Sequence, residues 1–311
     1  MSRQVTIQPN FEIRGLFKIR GRNKSYDDFQ LYRAGRYSLF FGLKKMMEIN
    51  PSLNNIYIPS YVCPEVLLPI NKIGLDKRFY HIDQNLKVDK KYLDKHVNSS
   101  SIIIVINYFG FPSEWDYFEE LKLRTKCTLI SDNCHSMFTK YKDKNLSKYG
   151  DLSFNSLRKM LPVLSGSQLF FNNEIYNSNH QVHTRSPNIS ELLYMLRSFK
   201  PRFIKKNLVD LSLSKDYVAI NKYAFDPETS YSIDSISDKL FLYFLKNQRK
   251  IINIRQKNYE SWRNYLPESD FIFLDELKAE NDVTPYVFPS IARSKEILKK
   301  WLIWGQKRNI T

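Results

Sequence analysis

Between residues 35 and 172 the chain alternates two hydrophobic rhythms. Leu39, Phe40, Leu43, Met46 and Met47 recur at helical spacing and predict a helix over Arg36–Ile49. Ile56-Tyr-Ile-Pro59 reads as a short strand. Cys63–Ile70 reads as a helix opening on Pro64, a first-turn position where a missing N–H costs nothing. Arg78-Phe-Tyr-His-Ile82 predicts another strand, and Lys90–His96 a short helix. Ser101-Ile-Ile-Ile-Val-Ile-Asn107 is nearly continuous in β-branched residues, the pattern of a strand buried on both faces. Ser113-Glu-Trp-Asp116 has capping-box spacing and opens a helix that ends near Arg124. Cys127-Thr-Leu-Ile-Ser131 and Gln168-Leu-Phe-Phe171 supply two more strands.

Strands that alternate with helices argue for a mostly parallel sheet covered on both faces, an α/β class. The expected organisation is an N-terminal arm over 1–30, a large domain over 31–232, and a long helix with a small C-terminal α+β domain over 233–311. Residues 173–230 are rich in Asn, Ser and Lys, with an amphipathic piece near Leu192–Phe199. Ser235-Ile-Ser-Asp238 is a second capping pattern, opening a helix with Ile236, Leu240, Phe244, Ile251 and Ile252 on one face. Pro285-Tyr-Val-Phe-Pro289 predicts a strand of the small domain, and Ser294–Trp304 an amphipathic helix.

Charge and cysteine content narrow the function classes. A formal net charge of +16 favours anionic partners. The lysines are scattered in pairs such as Lys44-Lys45, Lys90-Lys91 and Lys299-Lys300, and no nucleic-acid-binding signature accompanies them. The charge reads as a solvated surface suited to an anionic small molecule, with no nucleic acid expected. No run approaches the roughly 20 apolar residues of a membrane span, and Met1-Ser-Arg-Gln-Val-Thr-Ile7 lacks the apolar core of a secretory signal. Three cysteines without metal-ligand spacing (Cys63, Cys127 and Cys134) point to reduced thiols in the cytoplasm and to no metal site.

In open α/β sheets ligands collect beyond the carboxyl ends of strands, where Asn107 and Asp132 stand. Taken singly, Asp132 is an ordinary strand-end aspartate and Lys159 an ordinary surface lysine. Together with the Gly35-Arg-Tyr-Ser38 opening of the first helix they match what pyridoxal 5'-phosphate (PLP) asks of a protein. That cofactor needs a lysine amine, an acid beside its pyridine nitrogen and main-chain donors for its phosphate. An acid at ~4 Å from the pyridinium contributes about 4 kcal/mol at an effective dielectric of ~20. In Ser153-Phe-Asn-Ser-Leu-Arg-Lys159 the neighbouring Arg158 is excluded as the amine, because guanidinium stays protonated. If this segment is extended, adjacent side chains point oppositely and only one of the two faces the ring.

These pieces occur in the order of a known family. Ala34-Gly-Arg-Tyr-Ser-Leu39, Ile58-Pro-Ser-Tyr-Val-Cys63, Asn107-Tyr-Phe-Gly110, Ser131-Asp-Asn-Cys-His-Ser136 and the Gly150-Asp to Gly166 segment resemble the DegT-type PLP-dependent sugar aminotransferases. The resemblance covers about Tyr32 to Leu266 and is most specific in the last two segments. It implies PLP fold-type I: a large domain with a mostly parallel sheet flanked by helices, plus a small C-terminal α+β domain that looks abbreviated. It implies Lys159 as the Schiff-base lysine, Asp132 on the pyridine nitrogen and His135 against the cofactor near its phenolic oxygen. Gly35, Arg36 and Ser153 would bind the phosphate, and Asn107 and Tyr61 would contact ring or substrate. The implied substrates are a nucleotide-linked keto-sugar and an amino-acid donor, usually glutamate, in surface polysaccharide or related glycan synthesis, with a homodimer as the working unit.

The chain departs from the family in three places. At the family's usual spacing from Ser-Phe it has Arg158, with Lys159 one further. A glycine-rich run after the lysine is replaced by Leu164-Ser-Gly-Ser-Gln168. Tyr231-Ser-Ile-Asp-Ser235 stands where the family places an asparagine that reaches the partner's phosphate. Two alternatives follow: a catalytically degenerate homologue acting as a binding or assembly protein, and a PLP-dependent sugar dehydratase. Dehydration usually accompanies loss of the lysine, which is retained here.

Overall fold

The computed structural model describes residues 28–176, 184–189, 191, 193, 225–228, 231–274, 277 and 282–308. Its centre is a seven-stranded sheet. The order across it is β1 (Gln30–Tyr32), β9 (Ser167–Phe171), β8 (Leu152–Asn155), β5 (Thr128–Asn133), β4 (Ser101–Ile106), β2 (Asn55–Pro59) and β3 (Asp76–Tyr80). The run from β3 to β8 is parallel, and β9 and β1 extend it antiparallel. The mostly parallel sheet expected of PLP fold-type I is therefore present.

The apolar runs lie where both faces are covered. Ile102, Ile103, Ile104 and Val105 of β4 have no exposed surface, each burial contributing about 1.5–3 kcal/mol. Helix α1 (Gly35–Ile49) lies on one face, with Gly42 against Leu152 and Leu169. The other face carries α4 (Trp115–Thr125), whose Trp115 indole donates to Asn107 Oδ1 at 2.9 Å. The short helices α2 (Leu67–Ile73) and α3 (Lys90–His96) make the crossovers from β2 to β3 and from β3 to β4.

Several expectations are corrected. The arm assigned to 1–30 gives way at Gln30, which is buried in β1 with Leu31 and Tyr32; residues 1–27 lie outside the described ones. Strand β3 begins two residues before the predicted Arg78 because, as an edge strand, it exposes most of its side chains and carries no clear hydrophobic period. Ser113 does not cap α4: its N–H is held by Asn107 Oδ1 at 2.9 Å, and Glu114 is engaged by Lys90 and the Val88 N–H. The long helix is two, α6 (Ser235–Lys246) and α7 (Gln248–Tyr265), meeting at Asn247. Its cap is Asp234, which accepts from the Ser237 N–H at 2.8 Å. Pro285–Pro289 is not a strand, since each proline lacks the N–H a ladder needs; the small sheet pairs β10 (Phe271–Phe273) with β11 (Ser290–Ala292). Helix α8 (Lys295–Lys307) starts where predicted, with Ser294 accepting from the Ile297 N–H. The amphipathic piece near Leu192–Phe199 lies outside the described residues apart from Leu193.

Two smaller buried clusters dock the C-terminal part onto the sheet's carboxyl end. Leu157, Met160 and Leu161 pack with Ile233, Leu240 and Phe241, and Phe111 packs with Tyr259 and Val283. Among the described residues no helix is long and apolar enough to cross a membrane.

Candidate active site

The strand order reverses between β2 and β4, and a ligand crevice forms at such a switch point beyond the carboxyl ends. Two aromatics meet there: Tyr61, just after β2, stacks on Tyr108, just after β4 (ring centroids 5.5 Å, 23°). The Tyr108 hydroxyl donates to the Tyr61 carbonyl. Tyr61 is itself exposed, leaving its outer face open to the crevice.

One strand further along the sheet, Asp132 projects from the end of β5. It is in register with Ile106 on one side and Phe154 on the other, so all three share a face. Its Oδ1 accepts from the Cys134 N–H at 2.9 Å. Burial nonetheless holds the carboxyl above the usual carboxylate range, against opposing pulls from Cys134 and Lys159. A buried carboxyl left in that condition is a site for a cationic donor. The N-terminus of α1 arrives on the same face. A Cβ on Gly35 would stand 3.2 Å from Cys134 Sγ and 3.4 Å from the Asn155 carbonyl, so glycine lets the helix end approach this closely. The N–H groups of Gly35 and Arg36 belong to the first turn, which has no intrahelical acceptor for them. Beside them Arg36 pairs with Glu65, and its buried Nε has no partner.

Lys159 sits on α5 (Leu157–Met160), a single helical turn directly after β8. The alternation argument for an extended segment therefore does not apply: Arg158 and Lys159 are separated by a helical step of about 100°. The Lys159 amine lies 3.0 Å from His135 Nε2. The Phe109 N–H points at the other ring nitrogen, at 3.4 Å. Burial and the neighbouring lysine push the His135 imidazole down to about 3, so it is neutral over the ordinary working range. With the Phe109 N–H on Nδ1, the neutral ring carries its proton on Nε2 and directs that N–H at the Lys159 amine.

The His135 ring is clamped by stacking. Tyr286 lies over it at 4.7 Å and 11°, with Phe109 parallel at 6.1 Å. Tyr286 comes from the C-terminal segment, which is laced to the loop after β4. The Tyr286 N–H donates to the Phe109 carbonyl at 2.7 Å, and Thr139 Oγ1 donates to the Gly110 carbonyl at 2.6 Å and accepts from the Thr284 N–H at 3.0 Å. Gly110 adopts φ +103°, and a Cβ there would fall 2.4 Å from the Thr284 carbonyl oxygen. Arg255 of α7 donates to the carbonyls of Tyr286 (3.2 Å) and Lys159 (3.0 Å).

Of the residues read from sequence, the structure gathers Lys159, His135, Asp132, Gly35, Arg36 and Tyr61 around the carboxyl end of the sheet. Strand parity sets two of the expected residues apart from Asp132. Ser153 is in register with Ser131, on the face opposite Asp132, and its buried hydroxyl donates to the Ser147 carbonyl at 2.6 Å. Asn107 has its whole amide engaged: Oδ1 accepts from Ser113 and Trp115, and Nδ2 donates to Ser131 and Asn133. It joins β4 to α4. Tyr286, Phe109 and Arg255 are the residues that sequence reasoning missed. Only Tyr286 carried a signal, an aromatic between two prolines, and that was read as a strand.

The altered segments are also accounted for. Where the family has its glycine-rich run, the Leu164 and Ser165 N–H groups donate to Ser237 Oγ, and the Ser165 hydroxyl donates to Asp234. The same Asp234 occupies the loop expected to reach a partner's phosphate, turned inward to cap α6.

Comparison with known proteins agrees with this architecture. The sequence model of the DegT/DnrJ/EryC1/StrS aminotransferase family matches residues 39–186. A protein of Escherichia coli O55:H7 named GDP-4-keto-6-deoxy-D-mannose 3-dehydratase is 22% identical over 271 residues, 86% of this chain and 66% of that protein. This chain thus spans just under two thirds of that curated relative. Among solved structures, a DegT DnrJ EryC1 StrS aminotransferase from Brucella abortus superposes with a TM-score of 0.63 at 16% identity, over 89% of this chain and 69% of that one. Spr1654 from Streptococcus pneumoniae, in its PLP-form, gives 0.63 at 13% identity over 91% and 71%. These structural likenesses establish the fold, PLP fold-type I. Over residues 39–186, just under half of its length, the chain is similar to the DegT/DnrJ/EryC1/StrS aminotransferase family.

Proposed function

We propose that the protein is a PLP-dependent aminotransferase of nucleotide-linked keto-sugars, with glutamate as the amino donor. The observation that carries this reading is the convergence of the Lys159 amine, neutral His135 and buried Asp132 beside the glycine-opened N-terminus of α1. The residues present fit the cofactor. Asp132 is a buried carboxyl whose charged form burial disfavours, and a pyridinium N–H would supply it with a cationic partner. Arg36 Nε is a buried donor short of an acceptor, which a phosphate oxygen supplies. Tyr61 offers an exposed ring at the switch point for stacking.

When bound, PLP supplies an electron sink for breaking a C–H bond next to nitrogen. The chain's own part is positioning and proton transfer. Lys159 would hold the cofactor through its amine and would hold or move a proton at Nζ. His135 would hydrogen-bond Lys159 Nζ and orient it, its own ring set by stacking against Tyr286 and Phe109. Asp132 would favour the protonated pyridine nitrogen. The scattered positive charge draws the anionic nucleotide sugar toward the crevice. A homodimer, in reduced cytoplasmic conditions, belongs to the same proposal.

A second reading, sugar dehydration on the same cofactor, is favoured by the name of the Escherichia coli relative. The retained lysine favours transamination, because that reaction needs an amine to hold and release the cofactor. Mixing the pyridoxamine-loaded protein with the keto-sugar separates the two. An amino-sugar product with return of the lysine-bound absorbance band supports transamination. Loss of water from the sugar with no amino-sugar formed overturns it in favour of dehydration.

A further inference from the structure

We propose that Arg255 is a positioning residue for Lys159: its guanidinium ties the one-turn helix that carries the amine to the Tyr286 segment, and so sets the amine against His135. This rests on the reading of Lys159 as the cofactor lysine.

Helix α5 has four residues, too few to hold itself by its own hydrogen bonds, and its last carbonyls lack intrahelical partners. Arg255 takes up that end. Its Nη2 donates to the Lys159 carbonyl at 3.0 Å and, more weakly, to the Met160 carbonyl at 3.4 Å. From the other side Nη1 donates to the Tyr286 carbonyl at 3.2 Å, and the guanidinium sits over the Tyr286 ring at 5.8 Å. No Asp or Glu among the described residues pairs with it in a salt bridge. Burial lowers its affinity for its proton, and Tyr286 is the group that opposes this. A buried guanidinium without a carboxylate is costly. Three main-chain carbonyls are the acceptors that make it tolerable: those of Lys159 and Met160 at the end of α5, and that of Tyr286.

The neighbouring side chain shows what is particular to Arg255. Gln256 Nε2 also grips the C-terminal segment, donating to the Val283 carbonyl at 2.9 Å. Arg255 spans both pieces because a planar fork can donate in two directions at once. A lysine ammonium at the same place cannot reach both carbonyl groups. The amine and the His135 ring stacked on Tyr286 are thereby held in one frame.

The test uses Arg255→Lys and Arg255→Ala in the full chain. Reductive dimethylation with formaldehyde and cyanoborohydride, without PLP, is mapped by peptide mass spectrometry across pH, with exposed Lys250 as internal reference. Attachment of PLP is followed separately by its lysine-bound absorbance band. In Arg255→Lys the labelling profile of Lys159 moves along the pH axis while that of Lys250 stays. PLP attachment slows about tenfold, the order expected from a small misplacement of a reacting group. In Arg255→Ala, added guanidinium ion restores part of the wild-type attachment rate. Wild-type Lys159 labelling and attachment rates in both variants overturn the proposal. So does a parallel shift of every lysine with a lowered melting temperature, which marks a purely structural role. If Arg255→Ala does not fold, Arg255→Lys decides alone. If wild type attaches no PLP at all, the cofactor reading fails, and the labelling profile still decides what Arg255 does.

Discussion

Replacing Gly110 by Ala tests the lacing of the C-terminal segment to the active site. Gly110 has φ +103°, where an L side chain is strained by about 1–2 kcal/mol or more. The added Cβ would meet main-chain atoms, not a flexible side chain: the Thr284 oxygen at 2.4 Å, the Tyr286 nitrogen at 2.7 Å and Pro285 Cα at 2.8 Å. Backbone must therefore move, and three hydrogen bonds are exposed to the movement: Tyr286 N–H to Phe109 O, Thr139 Oγ1 to Gly110 O and Thr284 N–H to Thr139 Oγ1. At about 1 kcal/mol each, their loss with the strain totals about 4–5 kcal/mol. Urea unfolding of wild type and variant measures the loss directly. The same samples, titrated with PLP, show slower formation of the lysine-bound band, because Tyr286 no longer braces His135. A variant within about 1 kcal/mol of wild type, with an unchanged band, refutes the reasoning.

Two further perturbations follow from the site. The folded protein holds His135 unprotonated down to about 3, while the unfolded chain takes up a proton near 6.5. The stabilising contribution of the neutral ring is complete above 6.5 and is lost as pH falls toward 3, by about 1.4 kcal/mol per pH unit; His135→Asn removes that slope, which appears as the difference between the two urea-stability profiles. Arg36→Met removes the buried donor beside the helix end, and weakens PLP binding by about 10–100-fold while sparing pyridoxal, which has no phosphate; equal losses for both ligands place Arg36 elsewhere.

What could be read from the sequence was what the hydrophobic pattern determines locally. Strands β4 and β5 are buried on both faces, so their apolar runs announce them, and the polar residues ending them mark the crevice. The edge strand β3 and the two-residue strands β6 (Lys140–Tyr141) and β7 (Lys144–Asn145) carry no such run. That Lys159, His135 and Asp132 lie near one another was legible because each stands close to a strand end. That Ser153 and Asn107 lie on the opposite face from Asp132 was not, for one shared reason. Which face a strand residue takes depends on its pairing register, and a shift of one residue reverses it. Ser153 pairs with Ser131 and not with Asp132, which sequence alone does not reveal. Tyr286 and Arg255 reach the site only through the docking of α7 and the C-terminal segment, contacts that leave no periodic signature. Arg255 in particular looks like one more positive charge in a basic chain until its acceptors are seen to be the carbonyls of Lys159 and Tyr286.

The central claim is that one lysine, opposite Asp132 and beside His135, holds the cofactor. Incubation with PLP, borohydride reduction and peptide mapping test it most directly. The expected result is a phosphopyridoxyl mark at Lys159, near stoichiometric and absent from Lys159→Ala, in which Arg158 is intact. A mark spread over surface lysines, or one that persists undiminished in Lys159→Ala, contradicts the account.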